Sequence, residues 1–151
     1  MADNVIVLEN QRTDGVMSQS YWDVPHSKQI EGFATQISVN VGDTVDFKIN
    51  VNGNAGSDYN VEIFRLGYYG GEGARKVSGW TNDSATVQPE ADYDPTLGLV
   101  DAGNWSVTDS WDVPEDAVSG VYLARLQRLD ADGNPIEGAV NQIPFIIRDD
   151  D

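Results

Sequence analysis

The chain has 151 residues, 40% of them hydrophobic, which suits one globular domain with a core of its own. Twenty-five acidic side chains against nine basic ones give a net charge of −16, which excludes nucleic acid and anionic lipid surfaces as partners. With no cysteine there is no disulfide, thiolate nucleophile or thiolate-bound metal, and no run of about 18 apolar residues is present to span a membrane.

The start, Met1-Ala2-Asp3-Asn4, has neither the basic nor the apolar region of a signal peptide and reads as the start of an excised module. Short alternating or β-branched runs then recur between Gly, Pro, Asn and Asp punctuation. Strands are expected at residues 5–8, 32–39, 44–51, 59–66, 75–77, 104–111, 120–129 and 140–148. Val45, Phe47 and Ile49 share one face of the third. Tyr122, Ala124, Leu126 and Arg128 oppose Val121, Leu123, Arg125 and Gln127, the pattern of a central strand. Val41-Gly42-Asp43 opens a strand, Asn52-Gly53-Asn54-Ala55-Gly56 closes one, and Asp132-Gly133-Asn134-Pro135 makes a hairpin of the last two long strands.

Residues 78–103 are the least regular and read as a long ordered loop with at most a short strand near residues 85–87; loops of this length often carry function. Trp22-Asp23-Val24-Pro25 is echoed by Trp111-Asp112-Val113-Pro114, each expected to set a Trp at a strand end that Pro terminates. Trp111 is assigned to the core, and Tyr122 suits a tyrosine corner. About eight short strands, and no amphipathic helix of ten or more residues, predict an all-β sandwich of two antiparallel sheets, one domain over residues 1–151.

Catalytic residues are not expected. The single histidine, His26, follows Pro25 in a polar loop, and no Gly-x-Ser-x-Gly elbow is present. Carboxylate pairs of the kind a glycosidase uses are plentiful, but an acidic chain produces them by chance. Two groups have calcium chemistry to offer. Asp130, Asp132 and Asn134 make a fragment of a calcium loop, although Pro135 and Asn141 stand where an EF-hand has Gly and a bidentate acid. Asp92, Asp94 and Asp101 form the second group, and a solvated turn is the alternative for both.

The most unusual segment is Leu66-Gly67-Tyr68-Tyr69-Gly70-Gly71-Glu72-Gly73. Its glycines permit positive φ and close approach, and its tyrosines offer flat surfaces to a sugar or peptide. A tight strand connection with tyrosines packed on the sandwich is the competing reading. At most one of Tyr68 and Tyr69 is expected to face inward; the other is the candidate platform, with Trp80 or Trp105 beside it.

Several blocks carry a family resemblance. They are Ile30-Glu31-Gly32-Phe33-Ala34, Ser38-Val39-Asn40-Val41-Gly42-Asp43-Thr44-Val45, Arg65-Leu66-Gly67-Tyr68-Tyr69-Gly70-Gly71 and Gly73-Ala74-Arg75, then Trp111-Asp112-Val113-Pro114, Ser119-Gly120-Val121-Tyr122-Leu123-Ala124 and Ile143-Pro144-Phe145-Ile146-Ile147-Arg148-Asp149. They resemble the immunoglobulin-like domain that precedes the catalytic region in proteins similar to the N,N-dimethylformamidase large subunit, with similar domains in large modular secreted proteins and adhesins. The resemblance implies an immunoglobulin-like fold in a modular setting and carries over no active site.

The expectation is therefore a non-catalytic accessory module of a large secreted or cell-surface bacterial protein. It would position neighbouring domains and offer a surface to a glycan or peptide, with no required cofactor. The alternatives are a calcium-dependent adhesin module and a hydrolase working through a carboxylate pair.

Overall fold

The computed structural model describes residues 4–54 and 57–150. The expected turn residues Ala55 and Gly56, the chain start at residues 1–3, and Asp151 lie outside the described residues. In chain order the strands are β1 (Ile30–Ala34), β2 (Ser38–Asn40), β3 (Thr44–Val51), β4 (Tyr59–Leu66), β5 (Ala74–Asn82), β6 (Asp92–Asp94), β7 (Leu99–Asp101), β8 (Asp109–Asp112), β9 (Gly120–Leu129) and β10 (Pro135–Arg148). Two short helices, α1 (Val5–Asn10) and α2 (Gln19–Trp22), precede them.

One sheet has the order β2-β10-β9-β4-β5 and the other β1-β3-β8, while β6 and β7 form a separate hairpin. The all-β expectation holds, with a refinement: β2 runs parallel to β10, so the larger sheet is mixed rather than purely antiparallel. Alternation places Val45, Phe47, Ile49 and Val51 of β3 inward, against Val61, Ile63, Tyr122, Ala124, Leu126, Phe145 and Ile147 of the larger sheet. Phe145 packs edge-on against both Phe47 and Trp111, with ring centroids 5.6 and 6.2 Å apart, and Trp111 also meets Tyr122. The Tyr122 hydroxyl donates to the Val118 carbonyl at 2.5 Å, the backward bond expected of a tyrosine corner.

Residues 5–8 are helical, not a strand. The Asn4 side chain caps the helix by accepting from the Ile6 amide, and Leu8 N–H closes the turn on the Asn4 carbonyl. Four β-branched or aliphatic residues with no neighbouring strand have no ladder to join, so the cap outweighs their β preference. The stretch 32–39 divides into β1 and β2. Gly32 in β1 leaves room for the Lys48 carbonyl and the Ile143 side chain, which a Cβ would meet at 2.9 and 3.0 Å. The stretch 75–77 lengthens to all of β5 because β4 pairs along it, and 104–111 contracts to β8. Residues 85–87 form no strand; Ala85 N–H instead donates to the Ser57 carbonyl, and Thr86 accepts from Val51 N–H. Trp22 ends a helix, so only Trp111 of the echoed pair lies in a strand.

Candidate functional site

The glycine-rich loop joins β4 to β5, and two arginines bracket it, since Arg65 and Arg75 are direct partners across those strands. Gly70, Gly71 and Gly73 take positive φ, and so does Tyr69 at 41°. That turn separates the tyrosines. Tyr69 faces inward at 3% exposure and Tyr68 outward at 71%.

What Tyr69 faces is the N-terminal segment of the same chain. Its hydroxyl donates to Glu9 Oε1 at 2.8 Å and accepts from Arg65 NH1 at 3.0 Å. The same Glu9 oxygen accepts a hydrogen bond from Arg75 Nε–H at 2.7 Å, and all four side chains are buried. Asn10 Oδ1 accepts from the Tyr68 amide at 3.2 Å and from Arg65 NH1 at 3.3 Å. A Cβ on Gly67 would collide with that same Asn10 oxygen and with the Tyr69 ring, so only glycine admits α1 here. Farther along, a Cβ on Gly73 would sit 2.8 Å from the Trp22 ring, whose Nε1–H donates to the Glu72 carbonyl at 2.9 Å. Lys76 N–H bonds the Gly15 carbonyl at 2.8 Å, and Val16 forms a bridge with Arg75. The loop is thus a cradle for residues 9–22, which cross it as a strap.

Burial alone would raise the Glu9 carboxyl, but hydrogen bonds from Arg75 and Tyr69 and the charges of Arg75 and Arg12 outweigh it and hold the group below its ordinary range. Burial, reinforced by the bond to Glu9, raises the Tyr69 phenol even though Arg65 opposes it. The two opposite charges therefore persist in a protected site, and the ion pair fixes the strap in one register.

The strap leaves α1 inside out. Its polar Glu9 and Asn10 plug the cradle, while Val5, Ile6, Val7 and Leu8 are 42–62% exposed. Past the end of α1 a cleft of about 410 Å³ is lined by Asn10, Thr13, Val16, Tyr68, Tyr69 and Gly70. On the other side of Glu9 a cleft of about 390 Å³ runs past Arg75 and Lys76 to Trp111 and Tyr122.

Tyr68 and Tyr69 are brought to this site; the other expected ligand residues are not. Trp80 sits near the far end of β5, with its ring on Phe47 and its Nε1–H on Asp109 at 2.9 Å. Trp105 stacks on Phe33 and donates to the Pro89 carbonyl at 2.8 Å, anchoring the long loop. Asp130 Oδ1 accepts from the amides of Asp132 and Asn134, both at 2.9 Å, so it caps the hairpin turn. Asp92 and Asp101 are paired across β6–β7, and Asp94 Oδ1 accepts from the Thr96 amide at 2.8 Å. Among the described residues no group of three His, Cys, Asp or Glu is arranged to hold a metal ion.

Two more buried carboxylates lie elsewhere. Glu62 accepts from Tyr21 at 2.5 Å and pairs with Lys76 at 2.9 Å and Arg125 at 3.5 Å. Asp109 accepts from Trp80, Asn82, Thr108 and Tyr59. Glu9, Asn10, Arg65 and Arg75 were not among the expected site residues. The signal for them is that two of only nine basic residues bracket the glycine loop, a doublet that needs an anion between its members.

These features define an all-β domain whose β4–β5 loop is covered by a strap from earlier in the same chain. A family model described as N,N-dimethylformamidase beta subunit-like, C-terminal, matches residues 60–151, and the chain belongs to that family. The matched part holds the cradle and both arginines; the strap, β1 and β3 precede it. No curated protein matches the chain.

Proposed function

We propose that this chain is a non-catalytic packing module of a subunit in an amide-hydrolysing enzyme, and that it holds a neighbouring domain or chain against α1 and Tyr68. The observation that carries this reading is the inverted helix. Four consecutive apolar residues face water while the polar end of α1 is buried. Exposed apolar side chains are stabilised by a partner that covers them. The buried carboxylates are a second support. Glu9, Glu62 and Asp109 are each held by at least three donors or cations, so each is committed to structure rather than held ready to exchange a proton.

The test is the double variant Val5→Ser with Val7→Ser in the complete assembly. The fold is expected to melt as before while association and amide turnover fall together. Hydrolysis of N,N-dimethylformamide by this chain alone, lost on Glu62→Gln, would overturn the reading.

A second reading is favoured by the cleft beside Tyr68. An exposed ring next to the Asn10 and Thr13 side chains offers stacking and hydrogen bonding to a glycan or a peptide. Binding on a glycan and peptide array, abolished by Tyr68→Ala without loss of melting temperature, would select it over the packing role.

A further inference from the structure

The β6–β7 hairpin is a second exposed surface, and it rests on none of the α1 argument. Tyr93 and Val100 are direct partners across it, so they share a face; they are 64% and 71% exposed, and Leu97 at the tip is 68% exposed. A lone two-stranded hairpin in water is marginal and needs something to pack on. Its other face is acidic. Asp92 stands directly opposite Asp101, and Asp94 lies two residues along the same strand. Like charges placed opposite each other destabilise a strand pair unless positive charge comes to them. None is available nearby in sequence, because no Lys, Arg or His occurs from Val77 to Ala124.

The base of the hairpin is nevertheless held rigidly. Gln88 is buried, donates through Nε2 to the carbonyls of Ile49 at 3.1 Å and Ser106 at 2.9 Å, and accepts the Ser106 amide at 3.0 Å. Asn104 Nδ2 bonds the Glu90 carbonyl at 2.9 Å, and Lys48 Nζ bonds the Gly103 carbonyl at 3.2 Å. A stem fixed in this way presents an apolar tip at little entropic cost on binding.

We propose that β6–β7 is a docking arm that enters a cleft of a partner protein, with Tyr93, Leu97 and Val100 against an apolar wall and the carboxylate face against lysine or arginine. The two faces of the arm differ in chemistry, one apolar and one acidic, and the acidic face dictates the sign of the surface it meets. Four carboxylates at Glu90, Asp92, Asp94 and Asp101 steer a basic surface onto the tip and repel acidic ones.

The experiment uses the complete assembly with photo-reactive benzoylphenylalanine in place of Tyr93, and at exposed Glu137 as the control position. Cross-links from position 93 are expected on a partner peptide flanked by Lys or Arg, and the charge reversal Asp92→Lys with Asp101→Lys should cut their yield by about tenfold at low salt. Should that pair lower the melting temperature, Asp92→Asn with Asp101→Asn reads the charge requirement at unchanged shape, with the same fall expected. The proposal is overturned by cross-links no stronger than those from position 137, by cross-links to a second copy of this chain, by a yield indifferent to the charge changes, or by a yield that depends on added calcium.

Discussion

Glu9 and Arg75 are 66 positions apart in the chain and form a buried ion pair, with Oε1 and Nε 2.7 Å apart. The pair joins α1 to the start of strand β5, so it reports directly on whether the strap is seated. Removing one member of a buried pair leaves the other charge desolvated and costs roughly 3–5 kcal/mol. Glu9→Ala should lose that much in denaturant unfolding. Glu9→Leu combined with Arg75→Met should recover most of it, because it buries no uncompensated charge.

Gly67→Ala should release the strap without disturbing the sandwich. The added methyl occupies the place of Asn10 Oδ1, whereas a Cβ on Gly70 meets nothing within 4 Å. Limited proteolysis is expected to cut residues 11–14 of the Gly67→Ala protein well before β9. Gly70→Ala, which carries only the strain of a positive φ of 67°, should lose about 1–2 kcal/mol and keep the strap protected.

Trp111→Ala should cost roughly 3–5 kcal/mol, since it empties a site between the Tyr122 and Phe145 rings. Tyr122→Phe keeps the ring and loses only the bond to the Val118 carbonyl, about 1 kcal/mol. The ratio of the two losses, read from urea midpoints at constant slope, separates packing from the corner hydrogen bond.

How far the sequence carried depended on the reach of the interactions. β3, β4 and β9 were legible because alternation along one strand reports its buried face directly. The inward turn of one tyrosine was legible because adjacent side chains of an extended segment point to opposite sides, and the core place of Trp111 from the strand that holds it. The strap was not. Val5-Ile6-Val7-Leu8 has the composition of a strand, and the Asn4 cap, together with the docking of Glu9 and Asn10 into a loop nearly sixty residues away, makes it a helix in that place. Trp80 and Trp105 were grouped with Tyr68 on residue type alone; their partners, Asp109 and Pro89, depend on sheet register and loop path.

Alkali should destabilise the protein as its buried phenols ionise. Burial, the bond to Glu62 and its charge push the Tyr21 phenol up from 10 to about 12, and burial raises those of Tyr59, Tyr69 and Tyr122 as well. A phenol raised in the folded state stabilises it fully below pH 10, where both states are neutral, and that contribution is lost as pH climbs from 10 towards 12. Glu9 acts in the opposite sense: its contribution is present above 4.5 and fades as pH falls through its lowered value. Circular dichroism and tyrosinate absorbance should therefore change together above pH 10, and Tyr21→Phe should move that transition upward.

Hydrogen exchange at the amides of Val5–Asn10 tests the packing role most directly, measured in the isolated chain and again in the intact assembly. Seating a partner on the apolar face of α1 should slow exchange there on the order of tenfold or more, while β9 exchanges at the same rate in both. Equal rates for α1 in the two states would mean that its apolar face stays open to water in the working protein, and would contradict the account.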